Sequence, residues 1–276
     1  MSSQPGTTPK TIVIRDIETV DEMHQVETLQ REIWGVSDLD VVPALALRPQ
    51  KEVGAILMGA FAEGRMIGFV FGFPGILNGE VIIHSDMLGV TSEYRSQNVG
   101  YLLKLAQREA ALALGVKRIT WTFDPLQSRN AHLNFGKLGV IADRYLINYY
   151  GETSSFLHQS GTDRLWVTWL LDREQGEKTQ PENLFALIRV GENGEPVVNT
   201  DKPDERQMVI EIPGEPNAGA WREPTRAAFT AAFDSGYIVT DFHVMEKRGR
   251  KVGAYVLTRG QDAGLSLSRQ PKLPGR

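Results

Sequence analysis

Hydrophobic residues along the first part of the chain occur in two kinds of pattern. The segments TIVIRDI (11–17), EVIIHSDMLGV (80–90) and KRITWTF (117–123) are short and rich in Ile, Val and Thr, which is typical of strands. The segment 18–35 has helical spacing and ends at Gly35, a residue typical of the position just after a helix. The pattern therefore predicts a protein that mixes strands and helices.

The same patterns predict the remaining elements and their order. Further strands are predicted at 55–63, 66–73, 144–150 and 163–171, and further helices at 100–115 and 130–139, with a loop around a short helix at 36–54. After a polar stretch at 172–182, strands are predicted at 184–190, 196–200, 207–213, 237–244 and 251–258, with a helix within 218–236. We therefore predict a flexible leader (1–10), a first domain (11–171), a smaller C-terminal α+β unit (183–260) and a frayed tail (261–276).

Composition limits the class of protein. The chain has 41% hydrophobic and 23% charged residues, as a globular protein does. A formal net charge of −4, without any block of Lys and Arg, argues against nucleic acid as a partner. There is no cysteine, so a disulfide framework and a thiolate nucleophile are excluded. The polar start and the lack of an apolar run of about 18 residues predict a cytoplasmic protein without a membrane span.

The histidines do not predict a metal site. Four of them show no spacing typical of metal ligands: His24, His132, His158 and His243. No nucleophile elbow, P-loop or dinucleotide-binding fingerprint occurs in the sequence. We therefore expect chemistry that needs no metal.

The stretch VTSEYRSQNVGYLLKLAQREAALALG (90–115) predicts the end of a strand, a short turn and an amphipathic helix. Backbone N–H groups at the start of a helix lack acceptors within the helix and attract anions. The turn is thus a candidate anion site, although an ordinary strand–turn–helix crossover would have the same pattern.

The turn resembles the acyl-CoA motif of the GNAT superfamily of N-acetyltransferases, written R/Q-x-x-G-x-G/A. Here the motif is Arg95-Ser96-Gln97-Asn98-Val99-Gly100, in which Asn98 replaces the middle glycine. Asparagine is the residue that best tolerates a left-handed backbone in place of glycine. A second match lies at 128–139, where Ala131, Lys137, Leu138 and Gly139 fall in register and Phe135 stands where the family often has tyrosine.

The resemblance covers about residues 11–171 and implies the GNAT fold, a central mixed sheet flanked by helices, here followed by the smaller α+β unit. It implies binding of acyl-CoA as co-substrate, with acetyl-CoA or succinyl-CoA as the donor. The cofactor-binding residues that it implies are Leu88, Gly89 and Val90 for the pantetheine arm, Arg95, Ser96, Gln97, Asn98, Val99 and Gly100 for the pyrophosphate, and Asn130.

The resemblance also implies an N-acyltransferase whose acceptor is a small amine, with an amino acid favoured. In this family the amine attacks the thioester directly. The alternative is an acyl-CoA-binding sensor or assembly module with a degenerate GNAT site, which the departures at Asn98 and Phe135 keep open. A homodimer is also left open.

Three sets of residues are candidates for chemistry at that site. His84 lies eleven residues before Arg95, where one GNAT branch has its catalytic glutamate, and is the candidate catalytic base. Strand alternation puts Asp86 on the same face as His84, so Asp86 is a candidate for binding the substrate. His84 as an ordinary polar group of a half-buried strand is an equal alternative. Because Phe135 has no hydroxyl, the proton donor to the leaving thiolate is predicted on the next strand, at Tyr149 or Tyr150.

Two arginines in the C-terminal unit are candidates for substrate binding. Arg222 and Arg226 lie at helical spacing beside Trp221, and guanidinium groups bind carboxylates through paired hydrogen bonds. The alternative is a solvated helix face that packs one tryptophan.

Overall fold

The computed structural model describes residues 11–151, 161–173, 180–201, 205–215 and 218–262. The predicted leader and residues 263–276 of the predicted tail lie outside this range. The strands are β1 (Ile12–Asp16), β2 (Ile56–Ala62), β3 (Arg65–Leu77), β4 (Glu80–Val90), β5 (Arg118–Phe123), β6 (Ile141–Leu146), β7 (Arg164–Leu170), β8 (Phe185–Val190), β9 (Pro196–Val198), β10 (Gln207–Pro213), β11 (Tyr237–Lys247) and β12 (Arg250–Arg259). The helices are α1 (Val20–Trp34), α2 (Ala44–Glu52), α3 (Val99–Ala113), α4 (Ser128–Ala131) and α5 (Ala218–Asp234).

The chain forms two compact units. The first comprises the residues up to Pro74 together with Ile83–Val116, and the second comprises Gly75–Ile82 together with the residues from Lys117 onward. These units differ from the predicted division at 172–182, because the strands that follow this stretch pair with those that precede it. Within the second unit, Val239 of β11 pairs with Ala142 of β6.

In the first unit the strands lie in the order β1-β2-β3-β4, and β1/β2 and β2/β3 are antiparallel. Helix α1 begins with a capping box between Thr19 and Glu22 and ends at Gly35, whose φ of 59° is left-handed. One apolar cluster lies between the sheet and α1 and α2, around Met23, Leu47 and Phe69. A second cluster, which contains Val99 and Leu103 of α3, lies on the other face. The sheet is therefore buried on both sides.

In the second unit the strand order is β5-β7-β6-β11-β12-β10-β8-β9. The neighbours are antiparallel except β10 and β8, which are parallel, so the predicted mixed sheet is confirmed. Helix α5 buries Trp221 and Phe229 completely, and the Phe229 ring packs on Tyr255 of β12 at 5.1 Å between centroids. No helix in the described part of the chain is both long enough and apolar enough to cross a membrane.

The predicted helix at 130–139 takes a different form. Helix α4 has only four residues and continues into one wide turn of π-helix at His132–Lys137, which is followed by Gly139 at φ 69°. This segment buries Asn134 and Phe135 under the sheet of the second unit. The prediction was correct about the helical segment and its end at glycine but missed the wide turn.

Candidate functional site

A tight turn joins β4 to α3 in the first unit. A single turn of 3-10 helix at Ser92–Tyr94 is followed by Arg95, and Asn98 precedes α3 with φ 58° and ψ 12°. This left-handed conformation costs most L-residues roughly 1–2 kcal/mol, whereas asparagine adopts it more readily. Asn98 therefore gives this turn a left-handed residue directly before the helix.

The start of α3 is an electropositive helix end. The first turn closes when the Leu102 N–H donates to the Asn98 carbonyl at 3.0 Å, so the N–H groups of Val99 and Gly100 precede the helical hydrogen bonds. The first turn of α3 contains no acidic residue that would offset the positive end of the helix dipole. This geometry favours binding of an anion.

Gly100 is not required by the protein's own packing. A Cβ atom at this position would lie 3.8 Å from Leu88 Cδ2 and 4.0 Å from Val90 Cγ2, which are ordinary van der Waals distances. Its φ does not lie in the left-handed region that favours glycine. The space in front of Gly100 is thus available to a ligand.

The end of β4 lies against this turn. Arg95 Nε donates a hydrogen bond to the Val90 carbonyl at 3.2 Å, and its side chain is exposed. Leu88, Val90, Arg95 and Gly100, which the resemblance assigned to one cofactor site, are therefore neighbours. Gly89 has a packing role as well, since a Cβ there would lie 2.9 Å from Ile33 Cδ1 of α1.

The other predicted cofactor residues have less definite surroundings. Ser96 and Gln97 are exposed, and Gln97 Nε2 donates to the Glu93 carbonyl at 3.2 Å. Asn130 is exposed on α4 and belongs to the second unit. Their roles stay predictions.

The middle of β4 does not alternate strictly. The half-buried His84 ring lies 5.6 Å from that of Phe73, while Ser85 turns toward α3. Met87 packs with α1 and α2, and Leu88 packs with α3. His84 and Met87 therefore share a face although they are three residues apart, so strict alternation cannot place Asp86 beside His84.

Asp86 has an unusual environment for a carboxylate. Its side chain is accessible to solvent, yet the burial of its surroundings raises the pKa of this carboxyl above its ordinary value. A carboxylate with a raised pKa retains a proton more readily, which suits a group that exchanges a proton with a substrate amine.

Lys104 is a buried residue that the sequence analysis missed. It lies on α3 with 2% of its surface exposed, and its Nζ donates to Ser85 Oγ at 3.0 Å and to Gln107 Oε1 at 2.8 Å. Burial lowers the pKa of Lys104 well below its ordinary value. Lysines on amphipathic helices are ordinarily exposed, so nothing in the local pattern pointed to this one.

The two candidate tyrosines lie in a turn of the second unit. Strand β6 ends at Leu146, and Asn148 has a left-handed φ of 46°, so the predicted strand at 144–150 ends before the two tyrosines. Both rings are 45% exposed and contact each other edge to face at 4.8 Å. The Tyr150 hydroxyl lies 3.1 Å from Thr122 Oγ1. Their catalytic role stays a prediction.

Arg222 and Arg226 have carboxylate partners within the second unit. Arg222 Nη1 and Nη2 donate to the two oxygens of Asp124 at 2.8 and 2.9 Å. Arg226 Nε and Nη2 donate to Asp163 at 2.9 and 3.1 Å. Each of the two arginines thus donates a pair of hydrogen bonds to a carboxylate of the protein itself. Their role toward a substrate stays a prediction.

The alternative, a solvated helix face, does not describe Arg222, which is 7% exposed. Burial by itself lowers the pKa of Arg222, but the hydrogen bonds and charge of Asp124 raise it above the ordinary arginine value. Burial raises the pKa of Asp163, while hydrogen bonds from Arg226, Asn148 and Tyr145 lower it by more. These ion pairs connect α5 to the ends of β5 and β7.

Phe135 is a core residue. It is 2% exposed, and its ring lies 6.1 Å from that of Phe123 and 5.7 Å from that of Tyr255. The Tyr255 hydroxyl donates to the Pro125 carbonyl at 2.6 Å. Apolar packing therefore accounts for phenylalanine at this position.

Known proteins match this chain in structure and not in sequence. No family model and no curated protein matches the chain. The chain is similar to the ribosomal-protein-S18-alanine N-acetyltransferase from Escherichia coli (14% identity, TM-score 0.46, 62% of this chain and 99% of that one). It is also similar to an acetyltransferase of the GNAT family from Streptococcus pneumoniae (20% identity, TM-score 0.46, 58% of this chain and 99% of that one). A third similar structure is aminoglycoside 6'-acetyltransferase type Ii (18% identity, TM-score 0.47, 59% of this chain and 99% of that one). Within the described residues, no group of three or more His, Cys, Asp or Glu side chains is placed to hold a metal ion.

Proposed function

We propose that this protein is an acyl-CoA-dependent N-acyltransferase of the GNAT superfamily that transfers an acetyl or succinyl group to the amine of a small acceptor. The observation that carries this proposal is the turn from Arg95 to Gly100. It combines a left-handed residue before α3, an electropositive helix start and a glycine that packing does not require.

In this proposal the turn holds the pyrophosphate of the donor. Val99 and Gly100 offer backbone N–H groups, and the exposed Arg95 adds a positive charge beside them. The end of β4, at Leu88, Gly89 and Val90, lines the path of the pantetheine arm. Side-chain carbon at position 100 would occupy space that the phosphates need.

The reaction forms a bond from the acceptor nitrogen to the thioester carbonyl carbon and breaks the bond from this carbon to sulfur. The nitrogen loses a proton and the departing thiolate gains one, so no outside reagent is needed. His84 accepts the amine proton, directly or through water, and a tyrosine hydroxyl at Tyr150 or Tyr149 supplies the thiolate proton. Histidine suits its role because its ordinary pKa is near ~6.5.

An α-amine is the acceptor that demands least of this machinery. At pH 7, deprotonating an amine of pKa ~8 costs about 1.4 kcal/mol, whereas a lysine amine near ~10.4 costs about 4.6 kcal/mol. A half-buried histidine is a strong enough base to accept the proton of the α-amine. Amino acids are therefore the favoured acceptor class.

The second candidate is a domain that binds acyl-CoA without turnover. It is favoured by Phe135, because the hydroxyl that many family members have at this position is replaced by a buried ring.

Two measurements test the proposal and separate the candidates. Release of free CoA is followed with acetyl-CoA and succinyl-CoA against a panel of amines, and turnover with any amine selects the enzyme. Calorimetry with CoA then compares Gly100→Val with Ala113→Val, which adds the same side chain at the exposed far end of α3. Affinity should fall at least tenfold in Gly100→Val only. An unchanged affinity in the folded Gly100→Val protein would overturn both candidates.

A further inference from the structure

The second unit contains a buried guanidinium that differs from its neighbours. Arg164, the first residue of β7, is 6% exposed. Its Nη1 donates to the carbonyl oxygen of Asp163 at 2.8 Å, and its Cζ lies 5.1 Å from the centroid of the Tyr150 ring. Among the residues that the structure describes, it forms no ion pair with a carboxylate. A guanidinium has five N–H groups, and the bond to the Asp163 carbonyl uses one of them.

The nearby carboxylates are already engaged by other arginines. Both oxygens of Asp124 accept from Arg222, and both oxygens of Asp163 accept from Arg226. Asp163 also accepts from the Tyr145 hydroxyl at 2.9 Å. Arg226 also pairs with the exposed Glu223 at 2.8 Å, so Arg222 and Arg226 together engage three carboxylates. Of the three arginines, Arg164 is the one that forms no ion pair among the described residues.

The electrostatic surroundings of Arg164 fit this arrangement. Burial lowers its pKa, and the nearby negative charge of Asp124 offsets only part of the effect. A buried guanidinium that forms no ion pair among the described residues is a candidate for a binding site.

Hydroxyl groups and an accessible ring lie beside the guanidinium. Thr122 of β5 is opposite Trp166 of β7, and Arg164 is two residues before Trp166, so the three share one face of the sheet. The Thr122 and Tyr150 oxygens are 3.1 Å apart. Tyr150 is 45% exposed, so the residue whose ring packs over the guanidinium is itself open to solvent. A guanidinium and a hydroxyl suit a carboxylate, which accepts several hydrogen bonds.

We propose that Arg164 and Thr122, with the Tyr150 ring packed over the guanidinium, form a binding site for a substrate carboxylate. The inference rests on the proposed acyl transfer for the identity of the ligand. The carboxylate belongs either to an amino-acid acceptor or to the far end of a dicarboxylic acyl donor such as succinyl-CoA. The site differs from the pair predicted from sequence, Arg222 and Arg226, whose guanidinium groups hold Asp124 and Asp163 instead.

The test compares Arg164→Met with Arg144→Lys as the matched control. Arg144 lies on the neighbouring strand and packs over the Trp166 ring at 4.1 Å, so its substitution perturbs the same face of the sheet. Two substrate pairs are used: succinyl-CoA against acetyl-CoA, and an amino acid against its carboxamide. In Arg164→Met, kcat/KM should fall at least tenfold for the carboxylate member of one pair and change little for the other member. The pair that responds identifies the source of the carboxylate.

Two further readouts separate this inference from the proposed function and from a structural role. Succinate alone is titrated into the native protein and into Arg164→Met by calorimetry, which needs no turnover, and its affinity should be at least tenfold weaker in the variant. The Tm of Arg164→Met should equal or exceed that of the native protein, because the variant removes a buried charge that forms no ion pair among the described residues. An equal loss of kcat/KM for both members of each pair, or equal succinate binding by the two proteins, would overturn the carboxylate site. Absence of CoA release with every amine would count against the proposed function, and the succinate titration would still decide the site.

Discussion

The Lys104 amino group of α3 donates a hydrogen bond to the Ser85 hydroxyl of β4 at 3.0 Å, and both side chains are buried. This contact ties the helix that carries the predicted pyrophosphate site to the strand that carries His84. Because Lys104 has a strongly lowered pKa, the contact also makes the stability of the protein depend on pH.

Lys104→Met should change this pH dependence. In the unfolded chain a lysine binds its proton below pH ~10.4, whereas native Lys104 binds it only below its lowered pKa. Native stability is therefore lost as pH falls from ~10.4 toward the lowered pKa, by up to ~1.4 kcal/mol per pH unit, and Lys104→Met should lack this loss.

Urea unfolding at pH values from 7 to 10 measures the effect as the difference in unfolding free energy between Lys104→Met and the native protein. This difference should favour the variant most at pH 7 and shrink toward pH 10. Lys117→Met removes an exposed lysine and should have a constant difference. A constant difference for Lys104→Met as well would show that burial does not perturb this group.

Arg222→Met should destabilise the protein by about 3–5 kcal/mol, because it leaves the Asp124 carboxylate without its paired hydrogen bonds. Adding Asp124→Asn removes the unpaired charge and keeps an oxygen that can accept from the Leu126 N–H, a bond of 3.0 Å in the native protein. The double variant should therefore recover part of the lost stability. Urea unfolding of the two single variants and the double variant measures the coupling, and simple additivity would contradict it.

Asn98→Ala should lower stability by roughly 1–2 kcal/mol relative to Asn98→Gly, because alanine adopts the left-handed backbone before α3 at a cost that glycine avoids. Asn98→Gly should bind CoA as the native protein does, since it preserves the turn. Thermal unfolding and calorimetry with CoA measure both properties. Equal stability of the two variants would mean that the turn relaxes to another conformation.

His84→Ala should reduce kcat/KM far more at pH 7 than at pH 9, because an α-amine is largely deprotonated without help at the higher pH. Phe73→Leu removes the ring beside His84 and leaves the imidazole, so it serves as the control for packing. The pH profile of kcat/KM for both variants is the measurement. A uniform loss at both pH values would assign His84 a packing role.

Tyr150→Phe should slow kcat roughly ten- to a hundredfold. If the pKa of the CoA thiol is near ~8.5, its departure as an unprotonated thiolate at pH 7 costs about 2 kcal/mol. The variant keeps the ring and removes only the hydroxyl that would supply the proton. Tyr149→Phe, on the adjacent ring, is the matched comparison. If kcat is unchanged in both variants, water protonates the leaving group.

Local sequence patterns determined much of the fold. The β-branched and other apolar residues of 80–90 predicted β4 with the bounds that the structure has, and Gly35 marked the end of α1. The turn before α3 was predictable for the same reason, since a left-handed residue and a helix start depend on residues adjacent in sequence. These features are set by backbone preferences and by which face of an element is apolar, and both can be read from a short segment.

Only the tertiary structure decided the partners of the charged groups. Arg222 and Asp124 are 98 residues apart in sequence, and Arg226 and Asp163 are 63 apart, so no local spacing could pair them. The irregular part of β4, the turn that carries Tyr150 and the burial of Lys104 and Arg164 also depend on contacts between distant elements. A side chain's spacing along its own helix or strand is a local property, whereas its charge partner and its exposure depend on the segments that fold against it.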